Sequence, residues 1–159
     1  IFQNGDIQFG EKCLEISEGT SKSRYTYTDP SMVTAPPEKD LELPSSEVQF
    51  DMSRDTLKSV VNAANQLGLP EIAARGDGTS ITLVATDTKN PTTNEFSVEV
   101  SSTQAETPTE EFSLVFKTDN FKFLPDDYSV TISSKGISHF KGERVEYWVA
   151  TEAGSKYGS

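Results

Sequence analysis

Two stretches of this chain, residues 47–100 and 111–151, follow the same order: one strand, one helix, then three strands. Each sheet and each helix in such a plan has one apolar side to hide, so the two stretches must cover one another. In the first, Glu47 to Asp51 reads as a strand. Ser53 is suited to cap a helix running to Leu67, with Gly68 as its stop. Leu57, Val60, Val61, Ala64 and Leu67 share one face of that helix at helical spacing. Strands are expected at Glu71 to Arg75, Ile81 to Thr86 and Glu95 to Val100, and the turn residues Gly76 to Thr79 join the first two. After a polar loop from Ser101 to Thr109, the second stretch opens with a strand at Glu111 to Lys117. Thr118 is suited to cap a short helix ending before Pro125, followed by strands at Tyr128 to Ser134, Gly136 to Lys141 and Val145 to Thr151. Residue identity between the halves is weak, so the repeat is one of pattern. It predicts an α+β domain with two antiparallel sheets and two helices together on one side.

The rest of the chain does not fit this plan. Four of the eight prolines, Pro30, Pro36, Pro37 and Pro44, fall between residues 30 and 44, where they remove backbone donors and favour an extended path. Asp29 to Ser46 therefore reads as a connector. Before it, Cys13 to Ser17 and Ser23 to Thr28 read as two strands around turn residues, too few to cover a core alone. Residues 1–28 are thus expected to be the tail of a domain that begins earlier, in keeping with a first residue, Ile1, that is not methionine.

Composition narrows the function classes. With 14 Lys and Arg against 25 Asp and Glu, the net charge is −11, which excludes a surface basic all over for coating nucleic acid or anionic membrane. No apolar run approaches the roughly 20 residues needed to span a bilayer, and the start has no signal-peptide core. The single cysteine, Cys13, permits no intrachain disulfide and fits a reducing compartment.

Catalytic motifs are lacking. His139 is the only histidine, reads as a surface or edge residue, and has no obvious nucleophile or orienting acid. Cys13 lies in an alternating strand, as a small apolar residue would. The carboxylate pairs Glu110/Glu111 and Asp126/Asp127 fall at a strand start and in a turn, where solvated charge explains them. Arg75-Gly-Asp77 spells an adhesion tripeptide that the hairpin equally explains. No phosphate-binding glycine loop, dinucleotide fingerprint or zinc spacing occurs. Binding, not catalysis, is the expected activity, with no metal and no cofactor.

Two surfaces are candidates for binding. Arg54, Lys58, Asn62 and Asn65 follow helical spacing, so one side of the first helix carries two cations and two amides, a local inversion of sign in an acidic chain. Such a side suits phosphates without reading sequence. In the last strand Val145, Tyr147 and Val149 alternate with Glu146, Trp148 and Ala150, placing Trp148 opposite the core set. A tryptophan there is an unusual choice unless something covers it.

The run Tyr25-Thr-Tyr-Thr-Asp-Pro-Ser-Met-Val33 with the proline-rich connector, the helix beginning at Ser53, the run Asn120-Phe-Lys-Phe-Leu-Pro125, and Phe140-Lys-Gly-Glu143 leading to Tyr147-Trp-Val-Ala150 together resemble the T-even-type bacteriophage sliding clamp, the DNA polymerase processivity factor. The agreement in order and spacing runs along nearly the whole chain. The resemblance implies a homotrimeric ring around duplex DNA, each subunit holding two domains of the DNA-clamp fold, with sheets outside and helices lining the hole. Residues 1–28 would then close an incomplete first domain, 29–46 connect, and 47–159 form a complete second domain. It implies DNA-facing roles for Arg54, Lys58, Asn62, Asn65 and Lys122, the last on the second helix, without base readout. It also implies that Leu41, Leu43, Trp148 and Ala150 form a shallow groove for the C-terminal peptide of the polymerase and for the clamp loader, in the cytoplasm of an infected bacterial host. The rival reading is a β-rich phage structural or adhesin module with no role on DNA.

Overall fold

The computed structural model describes residues 2, 4–34, 40–90, 92–104 and 107–158. They divide into two compact units, residues 1–40 and 41–159. The first unit holds a three-stranded antiparallel sheet of β1 (Asp6–Phe9), β2 (Cys13–Glu18) and β3 (Ser21–Thr26), paired in that order. Its register sets Ile7 beside Ile16 and Phe9 beside Leu14 and Tyr25 on one face, while Glu15 on the other face bonds Arg24 and Lys22. Ile7, Phe9 and Tyr25 are exposed. Asp29 caps a 3-10 turn at Pro30–Met32, and Pro36 and Pro37 lie outside the described residues.

In the second unit the strands are β4 (Val48–Met52), β5 (Glu71–Asp77), β6 (Ile81–Thr86), β7 (Phe96–Val100), β8 (Glu111–Lys117), β9 (Tyr128–Ser133), β10 (Ile137–Lys141), β11 (Glu146–Ala150) and β12 (Lys156–Tyr157), with one helix, α1 (Arg54–Leu67). The strand order within each repeat is as expected. The two repeats exchange their first strands: one sheet runs β11-β10-β9-β4, the other β12-β8-β5-β6-β7, all antiparallel. Neither repeat can fold as a closed body alone, because each completes the sheet of the other.

The sequence explains α1 at both ends. Ser53 Oγ accepts the Thr56 N–H at 3.1 Å, and Gly68, at φ +66°, turns the chain so that its N–H reaches the Ala64 and Asn65 carbonyls. Leu57, Val60 and Ala64 face a core shared with Val48, Phe50, Ile72, Leu83, Leu114, Phe116, Val130, Ile132 and Phe140. Leu67, expected on that apolar face, is exposed, because it lies at the margin of the buried arc in the last turn.

The expected second helix is absent. Residues Thr118–Phe121 form one 3-10 turn without a side-chain cap, so α1 is the single α-helix among the described residues. Thr118 does not cap it: its hydroxyl donates to the Leu69 carbonyl at 2.9 Å and its N–H to the Pro70 carbonyl at 2.9 Å. Phe121 and Phe123, two residues apart, both turn into an aromatic cluster, a spacing that suits extended chain and not a helix. Pro125 further disfavours helix at Leu124. Phe123 stacks on Tyr147 with centroids 4.2 Å apart. Around this segment the Tyr147 hydroxyl accepts the Leu124 N–H at 3.0 Å, and the Tyr128 hydroxyl donates to the Leu124 carbonyl at 2.6 Å. Burial pushes the Tyr128 hydroxyl up to about 12.

Candidate nucleic-acid and partner interfaces

Arg54, Lys58, Asn62 and Asn65 are all exposed on α1. Arg54, Lys58 and Asn62 border one concavity of about 330 Å³, whose other walls are Leu57, Val61, Phe121, Phe123 and Pro125. Asn65 lines a different hollow at the end of the helix, with Lys117, Thr118 and Glu152. The strip also contains an acid: Asp55 is exposed in the first turn, and at 100° per residue it projects near Asn62. Lys122 is not on a helix. It follows the 3-10 turn and pairs with Asp119 at 3.0 Å, both side chains exposed. An exposed pair of this kind adds little to stability, and the carboxylate beside the lysine opposes its charge locally.

Asp127, read from sequence as a solvated turn acid, accepts the Arg54 N–H at 2.7 Å. The second repeat thus caps the helix of the first from outside, and a carboxylate at that end suits the helix dipole. Sequence reasoning missed this link because it joins residues 73 positions apart. Asp126 Oδ1 accepts the Asp127 N–H, and the Tyr157 hydroxyl donates to Glu110, so these carboxylates are structural too. Asp77 ties its own turn, accepting from the backbone N–H groups of Thr79 and Ser80 and from the Thr79 hydroxyl; these bonds hold its carboxyl down at about 2. Arg75 makes two bonds to Glu95, so the adhesion tripeptide is accounted for by hairpin and sheet.

The four-stranded sheet turns Phe50, Val130, Phe140, Tyr147 and Val149 to the core. Its opposite face carries a row in register, Trp148, His139, Thr131 and Gln49, and next to it Ala150, Ile137 and Ser133. Trp148 is therefore on the face expected. It is half-buried because the imidazole of His139 stacks on it, with ring centroids 4.2 Å apart and planes inclined by 14°. His139 also has the acidic partner that the sequence did not reveal: Nε2 lies 2.8 Å from Glu146 Oε2.

Ala150 and Leu41 are exposed and Leu43 is half-buried. The Ser45 hydroxyl lies 2.6 Å from that of Ser133, fastening the end of the connector to this same face. The Glu47 carboxylate accepts the N–H and hydroxyl of Ser134. Burial acts to raise the Glu47 carboxyl, but the hydrogen bonds from Ser134 and Ser45 outweigh it and hold it below its ordinary value.

The fold of this chain is similar to that of solved sliding clamps. It aligns with a chain from the complex of the C-terminal region of FEN-1 with A. fulgidus PCNA at a TM-score of 0.55 and 18% identity, covering 96% of this chain and 65% of that one. The C. crescentus beta sliding clamp aligns at 0.52 and 12% identity, over 93% of this chain and 40% of that one. Closer kinship lies in sequence: residues 49–153 match the gp45 sliding clamp, C terminal, and the sliding clamp of Vibrio phage KVP40 is 33% identical over 159 residues, 96% of this chain and 70% of the relative. The chain belongs to the gp45 sliding clamp family. That membership displaces the adhesin reading.

Proposed function

We propose that the protein containing this chain closes as a ring of three subunits around duplex DNA and holds the replicative polymerase at the primer end, with no catalysis of its own. The observation that carries this reading is the exchange of first strands between two repeats, which leaves one side of the shared core to a helix whose exposed strip holds Arg54 and Lys58. These two cations meet phosphates without reading bases, and Asn62 and Asn65 add hydrogen bonds without charge. Lys122 contributes less, since Asp119 already faces it. Residues 1–28 close a first domain that begins upstream, 29–46 connect, and 47–159 are the second domain.

On the outer face Leu41, Leu43, Trp148 and Ala150 take the C-terminal peptide of the polymerase, and the clamp loader competes for the same place. Support comes from Ser45: Leu43, two residues earlier, lies within about 7 Å of it along the chain, and Ala150 is two strand spacings, about 10 Å, from Ser133. A. fulgidus PCNA holds the C-terminal region of FEN-1, a ligand of the same kind. Such a contact is small and weak, and ring closure supplies persistence by raising the effective concentration of the polymerase. The work takes place in the cytoplasm of an infected bacterium. The test uses the full-length protein loaded on nicked circular DNA. Retention that vanishes when the circle is cut, together with longer polymerase products per binding event, is expected; equal retention on circular and open linear DNA would sink the ring.

A further inference from the structure

We propose that His139 is the positioning residue of the outer-face partner site, holding the Trp148 indole flat while Glu146 holds the imidazole. The inference rests on the reading that Trp148 anchors a partner peptide, and adds what fixes that anchor. His139 and Trp148 are direct cross-strand neighbours on β10 and β11, and their rings lie nearly parallel, 14° apart, at 4.2 Å. The imidazole cannot easily turn away, because its Nε2 is held 2.8 Å from Glu146 Oε2 and Thr131 flanks it on β9. Only 19% of the His139 side chain is exposed, against 58% for Glu146, so the carboxylate sits at the rim and the ring beneath.

The chemistry suits the task. An indole on the open face of a sheet samples several rotamers and must give them up on binding; a ring stacked beneath it removes that cost in advance. Phenylalanine would supply the stack alone. Histidine supplies a flat ring plus a polar edge that Glu146 satisfies, which sets the ring's rotation as well as its place. The other charged groups facing this row are Lys141, opposite Glu146 across the strands, Asp51, which accepts from Ser129 in the row that Lys141 and Glu146 share, and on the other side Glu47, whose carboxylate is taken up by Ser134. They make a charged rim beside the stack, which leaves the indole edge and Ala150 as the apolar surface on offer.

Trp148 is the only tryptophan, so its fluorescence reports this site without labels. The experiment compares the chain with His139→Ala, His139→Gln and His139→Phe, following acrylamide quenching, emission maximum and affinity for a synthetic C-terminal peptide of the cognate polymerase, with thermal melts as a control on folding. Ala and Gln should raise the quenching constant, shift emission to the red and weaken the peptide roughly threefold to tenfold, the range of an aromatic pair. Phe should restore the quenching protection and most of the affinity. Quenching and affinity unchanged in both Ala and Gln would overturn the proposal while leaving the peptide site intact. A peptide that fails to bind even the unaltered chain would instead overturn the partner reading, and with it the site that His139 is proposed to serve.

Discussion

The first repeat of the second unit builds its core-facing segment as 14 residues of capped helix; the second does the same with a single 3-10 turn of four residues. Both segments connect the exchanged strand of one sheet to the first strand of a hairpin pair in the other. What the position requires is therefore apolar volume, not a helix. Leu57, Val60 and Ala64 supply it at helical spacing in one case. Phe121 and Phe123 supply it with two large rings in the other, one 4% exposed and the other stacked on Tyr147. The difference in form has a consequence for charge. A helix of four turns displays a strip of polar side chains, whereas the short turn displays only Asp119 and Asn120, and Lys122 just after it already faces Asp119. On the proposed reading, the side chains of this unit that meet phosphates are therefore concentrated in the first repeat.

The hardest test of this equivalence is to empty each plug. Phe121→Ala should cost about 3–5 kcal/mol and Leu57→Ala about 2–5 kcal/mol in urea unfolding, the range of large-to-small changes in a packed core. If Phe121→Ala costs well under 1 kcal/mol, the short turn is an ornament and the comparison fails.

A smaller effect probes the link between the repeats. Ser53→Ala and Asp127→Ala should each lose about 1 kcal/mol, since each removes an acceptor at the start of α1, one from its own repeat and one from the other. Helical content followed by circular dichroism should fall in both variants. An unaffected Asp127→Ala would mean that the second repeat does not support the helix of the first.

The mildest change concerns Tyr128, whose buried hydroxyl is pushed up to about 12 from an ordinary 10.0. A folded value above the unfolded one favours the neutral, folded form fully below pH 10, and that support fades as pH rises from about 10 to 12. Tyr128→Phe removes the bond to the Leu124 carbonyl and should cost about 1 kcal/mol at pH 7. Its melting temperature should then decline less steeply than that of the unaltered chain between pH 10 and 12. Parallel alkaline profiles would show that Tyr128 does not titrate as its burial requires.

These contrasts also explain what the sequence reveals. The helix is legible to the residue because its signals are local: a serine that caps, a glycine that takes positive φ, and apolar spacing between them. The second helix is a misreading because Thr118 looks like a cap when its neighbours in sequence are considered, while its hydroxyl is in fact engaged by Leu69. The two-residue strand β12 leaves no pattern of its own and exists through its pairing with Phe112 and Ser113. At the outer face, alternation alone places Trp148 correctly. Its stack on His139 needs the register between β10 and β11, which the short turn from Gly142 to Val145 fixes by pairing Lys141 with Glu146. That opposite-charge pair flanking a glycine is the available signal, and counting back from it sets His139 against Trp148.

The central claim, that the exposed strip of α1 is the surface of this unit that meets DNA phosphates, is tested most directly by salt dependence. Full-length rings would be compared as the unaltered protein, Arg54→Ala/Lys58→Ala and Lys122→Ala, measuring equilibrium binding of short linear duplexes, which can leave a ring without opening it, from low to moderate salt. Removing one cation that neutralises a phosphate should lower the log-log slope by about 0.9; in a ring of three each substitution acts three times, so the double variant should drop by up to roughly 5.4 and Lys122→Ala by distinctly less than about 2.7, with the same result on unrelated DNA sequences. A double variant with an unchanged slope would contradict the account, and so would a drop confined to Lys122→Ala.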